Sequence, residues 1–158
     1  MPTKEQNILL RLLVRLSIFI IALFWFLGLI SPCLNNNFLH SIYPYLKLGY
    51  STVCHQTEAK SFACGNNVFL VCIRCTGIYF SVLVASFLTL FVRTRIKIKT
   101  KYLILLSIPM LMDVIFYSIG LYSYNKITAG LTGVLFGSIV FLYILSAIEN
   151  SLYTNSKS

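Results

Sequence analysis

Residues 75–101 read CTGIYFSVLVASFLTLFVRTRIKIKTK: eighteen residues from Cys75 to Val92 without a charge, then Arg93, Arg95, Lys97, Lys99 and Lys101 within nine positions. Wound as a helix rising about 1.5 Å per residue, an uncharged run of this length nearly fills the hydrocarbon layer of a bilayer. A dense basic segment directly after such a run is a membrane stop and an orientation signal. The reading of this stretch as span plus stop decides the fold, because the same pattern recurs on both sides of it.

Upstream, an apolar run covers residues 12–30, with Lys4 and Arg11 before it and Arg15 just inside. It reads as a retained transmembrane helix with Arg15 snorkelling to the headgroups. It is long for the apolar core of a signal peptide, no Ala-x-Ala site follows, and Ser31-Pro32 ends the helix instead. Downstream, residues 102–122 form a further span with Asp113 near its middle, and residues 127–148 form an uncharged one. The few residues between them, Ser123 to Lys126, force an antiparallel helical hairpin. The span carrying the quoted stretch is taken from residue 68 to 92, with Arg74 near its start.

The expected architecture is therefore all-α: a polytopic membrane protein with a bundle of four transmembrane helices, forming one domain over residues 1–158. Composition agrees, since 58% of residues are hydrophobic and only 11% charged, against about 25% charged in a soluble domain. The net charge of +9 follows the ends of the apolar runs, so it reads as topology and not as a nucleic-acid surface. With the N-terminus inside, the inner side holds nine basic residues (Lys4, Arg11, Arg15, the five of the basic loop and Lys157) and the outer side four: Lys47, Lys60, Arg74 and Lys126. That bias predicts an N-in, C-in protein of a prokaryotic inner (cytoplasmic) membrane, with residues 31–67 as an outward-facing loop. Within the loop, Phe38 to Val53 carries apolar residues at roughly helical spacing, interrupted by Pro44, and reads as a re-entrant or interfacial segment. Ala129, Gly133 and Gly137 make a small-residue stripe that admits close approach of another helix, within the chain or in a homo-oligomer.

Four of the five cysteines fall within CHQTEAKSFACGNNVFLVCIRCTGIY, residues 54–79. Cysteines used merely as small hydrophobes would not gather at the mouth of one helix. Cys72 and Cys75, three apart on a helix, share a face and could clasp a soft metal or close as a disulfide. Cys54 with Cys72, Cys75 and either His55 or Cys64 would complete a tetrahedral site, with zinc the expected ion. The alternative is a thiol–disulfide oxidoreductase in which Cys72 and Cys75 face a quinone while Cys54 and Cys64 pass electrons from a substrate. A third class is a small transport or accessory subunit. His40 reads as a surface histidine. Arg74 and Asp113 are too costly to face lipid and should point inward, near one another; Thr76, Tyr79 and Thr132 could add hydroxyls to a pocket around them.

The segment also resembles the signature of a family of short prokaryotic integral membrane proteins of unknown function. Its pattern is Cys-His-Gln, a basic residue before Ser-Phe, then Cys-x-Arg-Cys-Thr-Gly-Ile-Tyr. Cys54, His55, Gln56, Ser61, Phe62, Cys72, Arg74, Cys75, Thr76, Gly77, Ile78 and Tyr79 match it, with Lys60 in place of the usual arginine. A second block looks similar at Pro109, Asp113, Asn125, Thr132, Gly133 and Gly137. Here Val114 follows Asp113 where the family has glycine, and a glutamine and an arginine of that block are missing. The resemblance covers about residues 45–140. It implies that both blocks belong to one site and carries no activity with it.

Overall fold

The computed structural model describes residues 4–34, 37–64, 67–92, 94, 96–121 and 123–155. Arg93, Arg95 and Lys157 lie outside them, as do the side chains of Lys4 and His40. The chain runs through α1 (Lys4–Ile30), a 3-10 turn (Ser31–Cys33), α2 (Asn37–Ser51), a second 3-10 turn (Glu58–Lys60), β1 (Ser61–Cys64), β2 (Asn67–Cys72), α3 (Ile73–Phe91), α4 (Thr100–Ser118) and α5 (Lys126–Asn155). Four helices, α1, α3, α4 and α5, are long and apolar enough to cross a membrane. Phe24, Phe91 and Ile127 are 71%, 70% and 71% exposed, which suits a surface facing lipid. The whole is an all-α arrangement consistent with a polytopic membrane bundle, carrying one small two-stranded sheet.

The helices α3 and α5 form the central pair, with α1 laid against α3 and α4 against α5. Glycine sets how close the central pair comes. A Cβ at Gly133 would collide with the Arg74 carbonyl, and one at Gly137 would lie 2.6 Å from the Ile78 carbonyl. The small-residue stripe of α5 is thus covered by α3 of the same chain, with Ala129 fully buried beside it. Gly77 answers from the other side, its missing Cβ 2.5 Å from the Gly130 carbonyl.

The helix carrying the quoted stretch begins at Ile73, not at Val68. Residues 67–72 pair antiparallel with β1, with Ser61 opposite Cys72 and Cys64 opposite Asn67, and a bulge between. Val68, Phe69, Leu70 and Val71 are apolar like a span, but β-branched and aromatic residues suit a pleated strand. Likewise α2 is a continuous helix through Pro44. It does not cross the bundle; with the hairpin it roofs one end. Leu29, Tyr50, Cys54, Leu70 and Val71 form the buried core beneath that roof. Tyr50 Oη donates to the Trp25 carbonyl at 2.5 Å and fastens α2 to α1, and burial pushes the Tyr50 phenol up to about 12.

The opposite end, where α1 starts and α5 finishes, is tied by Arg15. Its side chain does not snorkel. It is 5% exposed and pairs with Glu149 of α5, itself 1% exposed at the side chain. The same guanidinium donates to the Thr89 carbonyl at 2.7 Å and to the Val92 carbonyl, and reaches the Thr94 carbonyl at 3.2 Å. The last turn of a helix leaves carbonyls without intrahelical donors and carries partial negative charge. Arg15 meets both demands for α3, and burial of its charge is compensated by Glu149.

Candidate functional site

Three thiols meet under the hairpin. The sulfurs of Cys54, Cys72 and Cys75 all lie within 4.8 Å of one another, and all three cysteines are free. Each is placed by a different local device. The helix α2 ends as the amides of Val53 and Cys54 both turn back to the Tyr50 carbonyl. The next turn passes through Gln56 at φ 50°, a left-handed conformation uncommon outside glycine, and the Gln56 side-chain amide donates to the Lys47 carbonyl at 2.8 Å. That turn sends Cys54 inward and leaves His55 exposed. Cys72 ends β2 and is the N-cap of α3, with extended backbone. Cys75 sits in the first turn of α3.

The Cys72 amide donates to Cys54 Sγ at 3.3 Å. Hydrogen bonds from the Cys72 and Cys75 thiols hold the Cys54 thiol well below the ordinary thiol range; burial opposes them and backbone amides assist. The cluster can therefore present one sulfur as a thiolate with two thiols beside it. Three sulfurs this close can bind a soft metal ion. They can equally exchange a disulfide among themselves.

The other expected ligands go elsewhere. Cys64 is joined to Cys33 in a disulfide, with Cα atoms 5.8 Å apart. This links the tip of the hairpin to the turn after α1, where the Asn67 amide also donates to the Pro32 carbonyl at 2.9 Å. A sulfur held in that bond is not a thiolate ligand. His55 is exposed, and no histidine joins the three thiols among the described residues. The arrangement is a cluster of three sulfurs.

Arg74 and Asp113 form an ion pair between α3 and α4, their side chains 17% and 7% exposed. Thr76 is buried and donates to the Cys72 carbonyl at 3.1 Å. Thr132 donates to the Ala129 carbonyl at 3.2 Å. Both hydroxyl protons are thus engaged within the backbone of their own segments. Tyr79 packs against the core beside Cys75, with its ring 6.0 Å from that of Trp25.

Sequence reasoning did not single out Tyr117 and Tyr124. Their rings stack edge to face at 5.5 Å, and Lys60 Nζ lies 4.4 Å from the Tyr117 centroid. Tyr117 is one helical turn beyond Asp113, a spacing that places both on one face of α4 and was visible in the sequence. Glu149 was also missed. It is one of only four acidic residues in the chain, and that scarcity was the signal.

Residues 54–143 match the family described as "Predicted membrane protein (DUF2085)". The chain belongs to that family. It is 37% identical over 150 residues, 92% of each chain, to "Uncharacterized protein MJ1492" of Methanocaldococcus jannaschii. No solved structure matches. The DUF2085 match opens on Cys54 and takes in all three thiols, Arg74 and Asp113. The family is thus one of small prokaryotic membrane proteins, and its matched region contains the entire thiol cluster.

Proposed function

We propose that this protein is a membrane thiol–disulfide oxidoreductase whose reactive groups are Cys54, Cys72 and Cys75. The observation that carries the reading is a closed disulfide, Cys33–Cys64, in the same hairpin layer as three mutually close free thiols. A layer that keeps one pair oxidised has the redox environment in which a second pair can cycle. Cys72 and Cys75 form the exchanging pair, and Cys54 is the neighbouring thiolate that can open a bond between them. In the oxidising half, a substrate dithiol gives two electrons and two protons to the Cys72–Cys75 disulfide and leaves as a disulfide. A membrane quinone would accept those two electrons and two protons and become a quinol. Arg74, Thr76, Tyr79, Asp113 and Thr132 are the groups from which a pocket for that acceptor would be drawn. Cys64 takes no part as shuttle in this scheme, because its sulfur is committed to Cys33.

The orientation belongs to the same proposal. The excess of basic residues at the end holding the termini, and the disulfide at the other, both support an N-in, C-in protein with the hairpin on the oxidising side of a prokaryotic inner membrane.

A second reading is favoured by the geometry of the three sulfurs: a soft-metal site of three thiolates, zinc or another thiophilic ion, with one coordination position open. Purified protein separates the two. Thiol titration and elemental analysis are done together, before and after a short-chain quinone is added. The redox reading expects three titratable thiols falling to one, with no metal. About one metal per chain, lost in Cys72→Ser and Cys75→Ser, with thiols indifferent to quinone, overturns it in favour of the metal site.

A further inference from the structure

Next to the thiols, on the α4 side, lies a group of donors of which the redox reading draws only on Arg74. Arg74 spends one terminal nitrogen on Asp113, while its Nε is buried with no hydrogen-bond partner. Tyr124 Oη is also buried without a partner. The two are linked through α4: the Tyr124 ring packs on Tyr117, one helical turn beyond Asp113, which pairs with Arg74. Above them, Lys60 Nζ lies over the stacked Tyr117 and Tyr124 rings at 4.4 and 5.3 Å. Lys126 donates to the Ser61 carbonyl at 3.3 Å, opposite Cys72 in the hairpin register. Neither lysine is paired with a carboxylate among the described residues. Asp113 is the one acidic side chain described in this group, and it is matched to Arg74.

A buried donor without an acceptor is unfavourable, and native structures satisfy nearly all of them. Two such donors at one end of α4, one a guanidinium, with an ammonium that has no carboxylate partner among the described residues, call for a ligand that brings oxygen lone pairs and negative charge. We propose that Arg74, Tyr124 and Lys60 form a binding site for an oxyanion of the phosphate or carboxylate type, held beside Cys72 with Lys126 at its rim. Arg74 Nε and Tyr124 Oη donate to the anion, Lys60 supplies the balancing charge, and Asp113 fixes the guanidinium so that Nε points to the ligand. Tyr117 supports the Tyr124 ring from behind. The site is independent of whether the thiols cycle or hold a metal. It gives the cluster a means of choosing a substrate that carries an anionic group.

Free phosphate and a phospholipid headgroup share this chemistry, and the test separates them. The full chain in neutral detergent is titrated with inorganic phosphate at constant ionic strength, with the unfolding temperature as readout. In parallel it is placed in nanodiscs of phosphatidylcholine with and without phosphatidic acid. Tyr124→Phe removes one oxygen and keeps the ring stack, so it retains the fold. Lys60→Gln removes the charge, and Lys47→Gln controls for general electrostatics. A saturable rise with phosphate, weakened about tenfold in Tyr124→Phe and in Lys60→Gln but not in Lys47→Gln, establishes a site for a free oxyanion. Stabilisation by phosphatidic acid alone, with the same dependence on variants, assigns the site to a lipid headgroup. No saturable response in either arm, or an equal one in Tyr124→Phe, overturns the proposal.

Discussion

Arg15 in α1 and Glu149 in α5, 134 residues apart in sequence, are joined at 2.5 Å, both almost wholly buried. Glu149 also accepts from the Ile96 amide at 3.4 Å, and Arg15 from its side holds the final carbonyls of α3. One ion pair thus fastens three helices and the loop between α3 and α4. Breaking such a pair leaves a buried charge uncompensated and costs about 3–5 kcal/mol, whereas removing both partners costs much less than the sum. Arg15→Met and Glu149→Gln are each expected to lower the unfolding temperature in detergent sharply, and the double variant to recover part of the loss. Additive losses would mean that the two residues act separately.

The contact between α3 and α5 gives a second prediction, with a built-in contrast. A Cβ at Gly133 meets the backbone carbonyl of Arg74, which cannot move without separating the helices, whereas one at Gly49 meets nothing within 4 Å. Gly133→Ala is expected to destabilise by about 1–3 kcal/mol through overpacking. Gly49→Ala, inside α2, is expected to be neutral or to stabilise by up to about 1 kcal/mol through helix propensity. Unfolding in a graded detergent series measures both, and equal effects would contradict the close approach.

The spans were legible because long uncharged runs between basic clusters have few structural solutions. The hairpin was not. Asn67–Cys72 is as apolar as the helix it precedes, so hydropathy runs straight through the boundary at Ile73. The turn signal lay in Gly65-Asn66, a dipeptide that favours two-residue hairpins. The convergence of Cys54 with Cys72 and Cys75 was legible from density and spacing, but the pairing of Cys64 with Cys33 depends on where the hairpin tip lands, which spacing does not encode. Arg15 looked like a snorkelling residue because its partner lies 134 residues away. Glycine at Gly77, Gly133 and Gly137 was legible as a small-residue pattern, while its partner helix became visible only in the packing.

The Cys33–Cys64 bond closes a separation of 31 residues that contains α2 and the turn bearing Cys54. Constraining a loop of that length in the unfolded chain is worth about 3–4 kcal/mol in the chain-entropy account. Replacing both cysteines by serine is expected to loosen α2 and the hairpin while leaving α3, α4 and α5 packed. Hydrogen exchange would then rise in residues 37–72 and stay unchanged in α5. Uniform loss of protection throughout would show that the bond supports the whole bundle and not its roof.

The final prediction concerns the pH dependence of Cys54. Its thiol is held below the ordinary range by donors, first the thiol of Cys72, then that of Cys75, with the Cys72 amide in support. Alkylation by iodoacetamide follows the thiolate fraction, so its rate rises with pH and levels off above the pKa. For a depressed pKa that plateau is reached at lower pH than for an unperturbed thiol near about 8.5. Cys72→Ala with Cys75→Ala removes both thiol donors and leaves the backbone amide. Peptide mapping after timed alkylation is therefore expected to show the Cys54 midpoint shifted upward in the double variant, towards the unperturbed value. The sign for stability is the same: the depressed folded-state pKa contributes stability above the unfolded-state value, and that contribution fades as pH falls through the folded-state value. If the wild-type midpoint already lies at or above about 8.5, burial outweighs the donors. Cys54 would then be a packed thiol with no claim to act as the nucleophile of the cluster.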